Sequence, residues 1–184
     1  MDVIDGDQDG SETVALTPTS ISGLDMGGDI TYGGIELLNL LLGSRPDTVD
    51  VIGTHAFTVT AIFAGDGNDT FNVGSAAGGA VHDLAGKVIL DGQGGCDTLN
   101  LDDSNAQAAE GGTLNSTTIR GLGMGEGIDY YRLESLVMLL AGDTLIINGT
   151  VPVSTVISKA GFITAETALA PAGSITLDLS LIHI

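Results

Sequence analysis

Aspartates set among glycines are the residues here whose type and spacing could do chemistry. "AGDGNDTFN" at 64–72 and "GQGGCDTLN" at 92–100 each place Asp or Asn between glycines, directly before an Asp-Thr pair. Oxygen donors of this kind suit a hard cation such as calcium, which takes 6–8 oxygen ligands, backbone carbonyls among them. They equally suit Asx turns, in which the carboxylate accepts turn amides and the glycines supply left-handed backbone. Asp47, Asp66, Asn68, Asp69, Asp91 and Asp97 are the candidate ligands.

Such turns need strands to carry them, and the chain supplies a beat. "DTVDV" at 47, "DTFNV" at 69, "DTLNL" at 97 and "DTLII" at 143 read Asp-Thr-apolar-x-apolar, with "ETVAL" at 12 as a fifth copy. Period-2 alternation rich in Thr and Val predicts strands bounded by Gly/Asp/Asn turns. A longer repeat overlies this beat. The segment from Thr19 aligns with the one from Thr117: Thr19, Gly23, Leu24, Met26, Ile30, Tyr32 and Glu36 each recur 98 positions later. After a two-residue gap, Asp47, Thr48, Gly53 and Thr54 match Asp143, Thr144, Gly149 and Thr150.

Recurring strands with no convincing helix between them predict an all-β fold. We expect a parallel β-helix, or β-solenoid, with coils of about 22–28 residues; a β-sandwich of short strands is the alternative. Val49, Val51, Phe71, Val73, Leu99 and Leu101 are expected inward, and Thr48, Thr70 and Thr98 outward as a ladder. Residues 1–16 read as the end of a preceding repeat, 17–116 as a first unit, 117–150 as the start of a second, and 151–184 as a diverged segment. "SKAGFITAETALAPAGS" breaks the beat and reads as a short capping helix, and "LDLSLIHI" as an apolar end without a repeat partner.

The two glycine-rich turns resemble the nonapeptide of hemolysin-type, or RTX, calcium-binding repeats, Gly-Gly-x-Gly-x-Asp-x-apolar-x. Gly67, Asp69 and Phe71 fall on its second-half positions, as do Gly95, Asp97 and Leu99; Ala64 and Gln93 replace glycines of the pattern. The resemblance implies a secreted bacterial protein with calcium held by Asp69, Asp97 and turn carbonyls, and Gly65, Gly67, Gly92 and Gly95 shaping the turns. The duplication itself is similar to the long repeats of large bacterial surface proteins.

If Asp47, Asp69 and Asp97 stack on successive coils, they stand roughly 4.8 Å apart. Neighbouring unpaired carboxylates then repel by about 3 kcal/mol at an effective dielectric near 20. Something must relieve the column.

Composition narrows the function classes. Twenty-four acids face 5 bases for a net charge of −19, with hydrophobic residues at 43% and aromatics at 4%. No basic stripe exists to neutralise nucleic-acid phosphates or anionic lipid. "LLNLLLG" and "LVMLLAG" are too short to span a bilayer, and no signal peptide is visible at Met1. The lone Cys96 excludes an internal disulfide. "DGDQDG" at 5–10 starts like an EF-hand loop with Asp5, Asp7 and Asp9, but Leu16 stands where the bidentate Glu belongs; it reads instead as an acidic turn.

His55, His82 and His183 lack metal-ligand spacing, and Arg45, Arg120 and Arg132 do not cluster. The expectation is a non-enzyme: a structural or adhesive, calcium-stabilised repeat segment, extracellular or on a bacterial surface. It would be flanked by further repeats and meet extracellular polysaccharide or another cell surface. A carbohydrate-active β-helix and a surface- or ice-binding Thr ladder are the alternatives.

Overall fold

The computed structural model describes residues 1–5, 10–74, 78–148, 154–158, 162–166 and 174–178, the last two segments as backbone only. Asp7, Asp9 and His183, expected at turns or surfaces, lie outside the described residues. So does most of the segment 151–184.

The described residues form strands and no helix. In chain order they are β1 (Asp2–Ile4), β2 (Thr13–Leu16), β3 (Ser20–Ser22), β4 (Ile30–Thr31), β5 (Leu37–Leu41), β6 (Thr48–Val51) and β7 (Val59–Phe63). Then come β8 (Asp66–Gly67), β9 (Thr70–Val73), β10 (Val88–Asp91), β11 (Gly94–Gly95), β12 (Thr98–Asp103) and β13 (Gly111–Asn115). β14 (Thr118–Gly121), β15 (Ile128–Tyr131), β16 (Ser135–Leu140), β17 (Thr144–Asn148), β18 (Ser154–Ser158), β19 (Phe162–Glu166) and β20 (Ser174–Asp178) complete the set. The capping helix expected in "SKAGFITAETALAPAGS" is corrected at β19, which is a strand paired in parallel with β17; β-branched Ile163 and Thr164 suit a strand better than a helix. β20 pairs with β18, which places Leu177 and Asp178, the start of "LDLSLIHI", in sheet B.

Two nine-stranded sheets hold nearly all of these strands. Sheet A runs β1-β5-β7-β10-β15-β14-β13-β17-β19, and sheet B runs β20-β18-β16-β12-β9-β6-β2-β3-β4; β8 and β11 form a small third sheet. From β5 onward the chain passes back and forth between sheets A and B, and most neighbours are parallel, as crossing between sheets demands. Two antiparallel excursions interrupt this, β2-β3-β4 in sheet B and β13-β14-β15 in sheet A.

Val49, Phe71 and Leu99 sit side by side in register on β6, β9 and β12. Together with Leu38, Leu40, Ile62 and Leu90 from sheet A they belong to one buried cluster. Thr48, Thr70 and Thr98 are likewise in register, half-exposed on the opposite face, and the row continues through Thr13 and Ser135.

The duplicated units keep their local geometry but change sheets. Tyr32 donates its hydroxyl to the Thr17 carbonyl at 2.5 Å, and Tyr130 donates to Asn115 at the same distance. Glu12 N–H meets Asp47 at 2.7 Å, and Glu110 N–H meets Asp143 at 2.7 Å. Yet β2-β3-β4 and β6 lie in sheet B, while their counterparts β13-β14-β15 and β17 lie in sheet A. "DTLII" at 143 therefore does not continue the column of the other Asp-Thr copies, which is a correction to the sequence beat; Glu134-Ser135 takes that place beside β12.

Tyr130 is buried, and its hydroxyl ties β15 to the end of β13. Tyr130→Phe is expected to cost about 1 kcal/mol, the net worth of one such bond, measured by urea denaturation.

Candidate functional site

One edge of sheet B carries a ladder of carboxylates. Each acid stands one residue before its strand: Glu12, Asp47, Asp69, Asp97 and Glu134. Asp47 N–H donates to Asp69 Oδ1 at 2.8 Å, Asp69 N–H to Asp97 Oδ1 at 2.9 Å, and Asp97 N–H to Glu134 Oε2 at 2.7 Å. The return ties are backbone: Thr70 N–H donates to the Asp47 carbonyl at 2.8 Å and Thr98 N–H to the Asp69 carbonyl at 2.9 Å. Where the chain turns out of the strand, no backbone carbonyl faces the amide of the layer before. The next acid supplies the missing acceptor, which is how the column is relieved without any added group.

The relief is partial. Oδ2 of Asp47, Asp69 and Asp97 is buried with no hydrogen-bond partner among the described residues, as is Oδ2 of Asp103 on β12. A desolvated anion with one free oxygen is costly. Burial pushes the Asp69 carboxyl up to about 7; the amide from Asp47 works against this, and the charges of Asp97 and Asp47 add to it. Burial also raises Asp47, Asp97 and Glu12, and takes Asp103 to about 6 despite its bond from Val81 N–H.

The glycine-rich turns lie one over the other beside the ladder. β8 and β11 pair in parallel, Asp66 opposite Gly94 and Gly67 opposite Gly95. Cys96 N–H donates to Asn68 Oδ1 at 3.0 Å, so the two turns sit on adjacent layers although 28 residues apart. Gly67 and Gly95 have φ of 142° and 131°, and a Cβ on Gly95 would fall onto the Gly67 carbonyl oxygen. Backbone approach this close requires glycine.

The candidate ligands are thus distributed over three settings. Asp47, Asp69 and Asp97 form the buried ladder; Asp66 and Asn68 are exposed on the turn. Asp91 belongs to neither: its Oδ1 accepts Gln93 N–H at 3.2 Å and its Oδ2 is paired with Arg132. Among the described residues no group of three or more His, Cys, Asp or Glu side chains converges on one point. A calcium shell here would draw on turn carbonyls and water as well as carboxylates.

A second charged cluster sits on sheet A, assembled from β10, β14, β15 and their flanks. Asp129 pairs with Lys87 at 2.5 Å and with Arg120. Burial acts to raise the Asp129 carboxyl, but the two cations outweigh it and hold it below the usual range. With Asp91 and Arg132, this places two carboxylates and three cations around β10 and β15. His82 meets Glu110 at 3.2 Å; His55 and Cys96 are exposed.

The chain matches no protein-family model, no curated protein and no solved structure.

Proposed function

We propose that this chain is a structural segment, a stiff acidic spacer or adhesive element whose successive layers are coils of a parallel β-helix. The observation that carries the reading is the carboxylate ladder. The most buried acids of an acidic chain are spent on tying one layer to the next, not on facing a cleft. Strands in register across several layers, with alternate side chains filling one continuous core, are the economy of a stacked repeat. A secreted or surface-attached setting accords with the charge, which keeps such a body soluble and attracts cations.

Calcium ordering the Gly/Asp turns is the second half of the proposal. The unpartnered Oδ2 atoms of Asp47, Asp69 and Asp97 favour it, as do the hard oxygens of Asp66 and Asn68 nearby. Thermal melting followed by circular dichroism, in EDTA and then in millimolar calcium, tests it. An ion bound only by the folded chain raises the melting temperature in proportion to its saturation, so a rise of several degrees with calcium is expected. Equal melting temperatures in the two conditions would leave a plain spacer.

The sheet A cluster favours a competing reading, a carbohydrate-active surface, because acids and cations share one face there. Incubation with acidic and neutral polysaccharides, followed by reducing-end assay, separates the two. The structural reading expects no release of new ends.

A further inference from the structure

The duplication supplies a template for what fits the open edges of the two sheets. In the body of the molecule, β9 lies parallel against β12, and β10 parallel against β15. The 98-residue repeat maps β12 and β15 back onto β1 and β4. These are the outermost strands of sheets A and B at one end, and among the described residues nothing pairs with their outer sides. At the other end β19 and β20 are outermost among the described residues. They occupy, with the sheets exchanged, the places of β9 and β10 in the first unit.

We infer that a second copy of this chain docks head to tail, β1 pairing in parallel with β19 of its neighbour and β4 with β20. The inference rests on the stacked-coil reading above and adds a partner to it.

The sheets agree. β1 and β19 are both in sheet A, and β4 and β20 both in sheet B, so each sheet would continue across the junction. Register follows from the internal copy. Leu101 faces Val73 and Ile128 faces Val88. Carried through the pairings of β17 with β19 and β18 with β20, these place Val3 opposite Ala165 and Ile30 opposite Ile175.

Hydrogen bonding agrees as well. Asn39 N–H donates to the Met1 carbonyl and Asp5 N–H to the Leu41 carbonyl, so residues 1, 3 and 5 face β5. The N–H and C=O of Asp2 and Ile4 therefore point to the open side, free to extend the sheet.

Burial shows what the missing layer would cover. Leu122, Met124 and Ile128 are buried, and Gly125 N–H donates to Leu84 in the loop above them at 2.9 Å. Their counterparts Leu24, Met26 and Ile30 are only half-buried and line an open groove with Met1, Val3 and Ile4. Because the contact joins different surfaces and continues both sheets in one direction, it predicts an open series of oligomers. Asp2, Asp25 and Asp29 at this end oppose another acidic chain, so added salt should strengthen the association.

Sedimentation velocity over a wide concentration range tests the inference. Dimers, trimers and longer species are expected to grow with concentration and with salt. Ile4→Pro removes an outward amide at an exposed edge position, where proline is tolerated, and should return the protein to monomer with unchanged circular dichroism. In a Cys96→Ser background, Asp2→Cys mixed with Thr164→Cys should form a disulfide-linked heterodimer. Their Cα atoms would lie one strand spacing apart, within disulfide reach; neither variant should cross-link with itself.

A folded monomer at every concentration, a closed dimer, or self-linking of either cysteine variant would overturn the inference while leaving the spacer reading intact. Loss of the β signal in the unmodified protein would end both.

Discussion

Unfolding free energy falls as pH rises from about 4 to about 7, and Asp69→Asn removes a large part of that slope. Glu12, Asp47, Asp69, Asp97 and Asp103 are all raised by burial, Asp103 to about 6 and Asp69 to about 7. In the unfolded chain the aspartates titrate near 3.8. Across that window the folded chain holds more protons, so its stability is full below the unfolded value and is lost as pH climbs through the folded ones. Asp129 acts the other way: its lowered carboxyl adds stability that disappears as pH falls through the acid range. The two trends place the optimum near pH 4–5. In Asp69→Asn the side-chain oxygen can still accept the Asp47 amide, while the buried charge is gone. The variant should therefore melt higher than the parent at pH 7.5 and match it near pH 4. Melting curves at closely spaced pH in EDTA would show this, and a parent curve that rises from pH 4 to 7 would contradict it.

Gly95→Ala should destabilise the protein by about 3 kcal/mol or more. Two costs add. A φ of 131° is left to glycine almost alone, and forcing an L-residue there costs of order 1–3 kcal/mol. The new methyl also meets the Gly67 carbonyl oxygen on the layer beneath, and backbone cannot swing aside as a side chain would. The control is Gly34→Ala: φ is also positive at 65°, but nothing lies within 4 Å of the added carbon, so only the conformational cost remains. Urea denaturation of the pair separates strain from collision. Equal losses at the two positions would mean that the stacked turns give way easily.

The inward row was legible because period-2 alternation in "DTVDV", "DTFNV" and "DTLNL" states which face each side chain takes. The Asp ladder was legible as a column for the same reason. What relieves it was not, since a carboxylate accepting an amide from 22 or 28 residues away leaves no local mark. The exchange of sheets was hidden too. Both sheets use the same alternation, so identity between Asp47-Thr48 and Asp143-Thr144 says nothing about which sheet holds them. Glu134 entered the ladder unannounced because its copy, Glu36, is exposed and sits beside sheet A. The pairing of Asp129 with Lys87 and Arg120 had one trace: Thr31 and Ser22 stand at the matching places of the first unit. A change from neutral to opposite charges at two diagonal positions of neighbouring strands is what an ion pair looks like between copies.

Because the second unit takes the sheet opposite to the first, parity would govern orientation in a longer array of such units. Lengthening the molecule by one unit turns every later landmark to the far flank, and lengthening it by two turns it back. Two binding patches one unit apart would look in opposite directions and could bridge separate bodies. Two patches an even count apart would share a side and grip a single one.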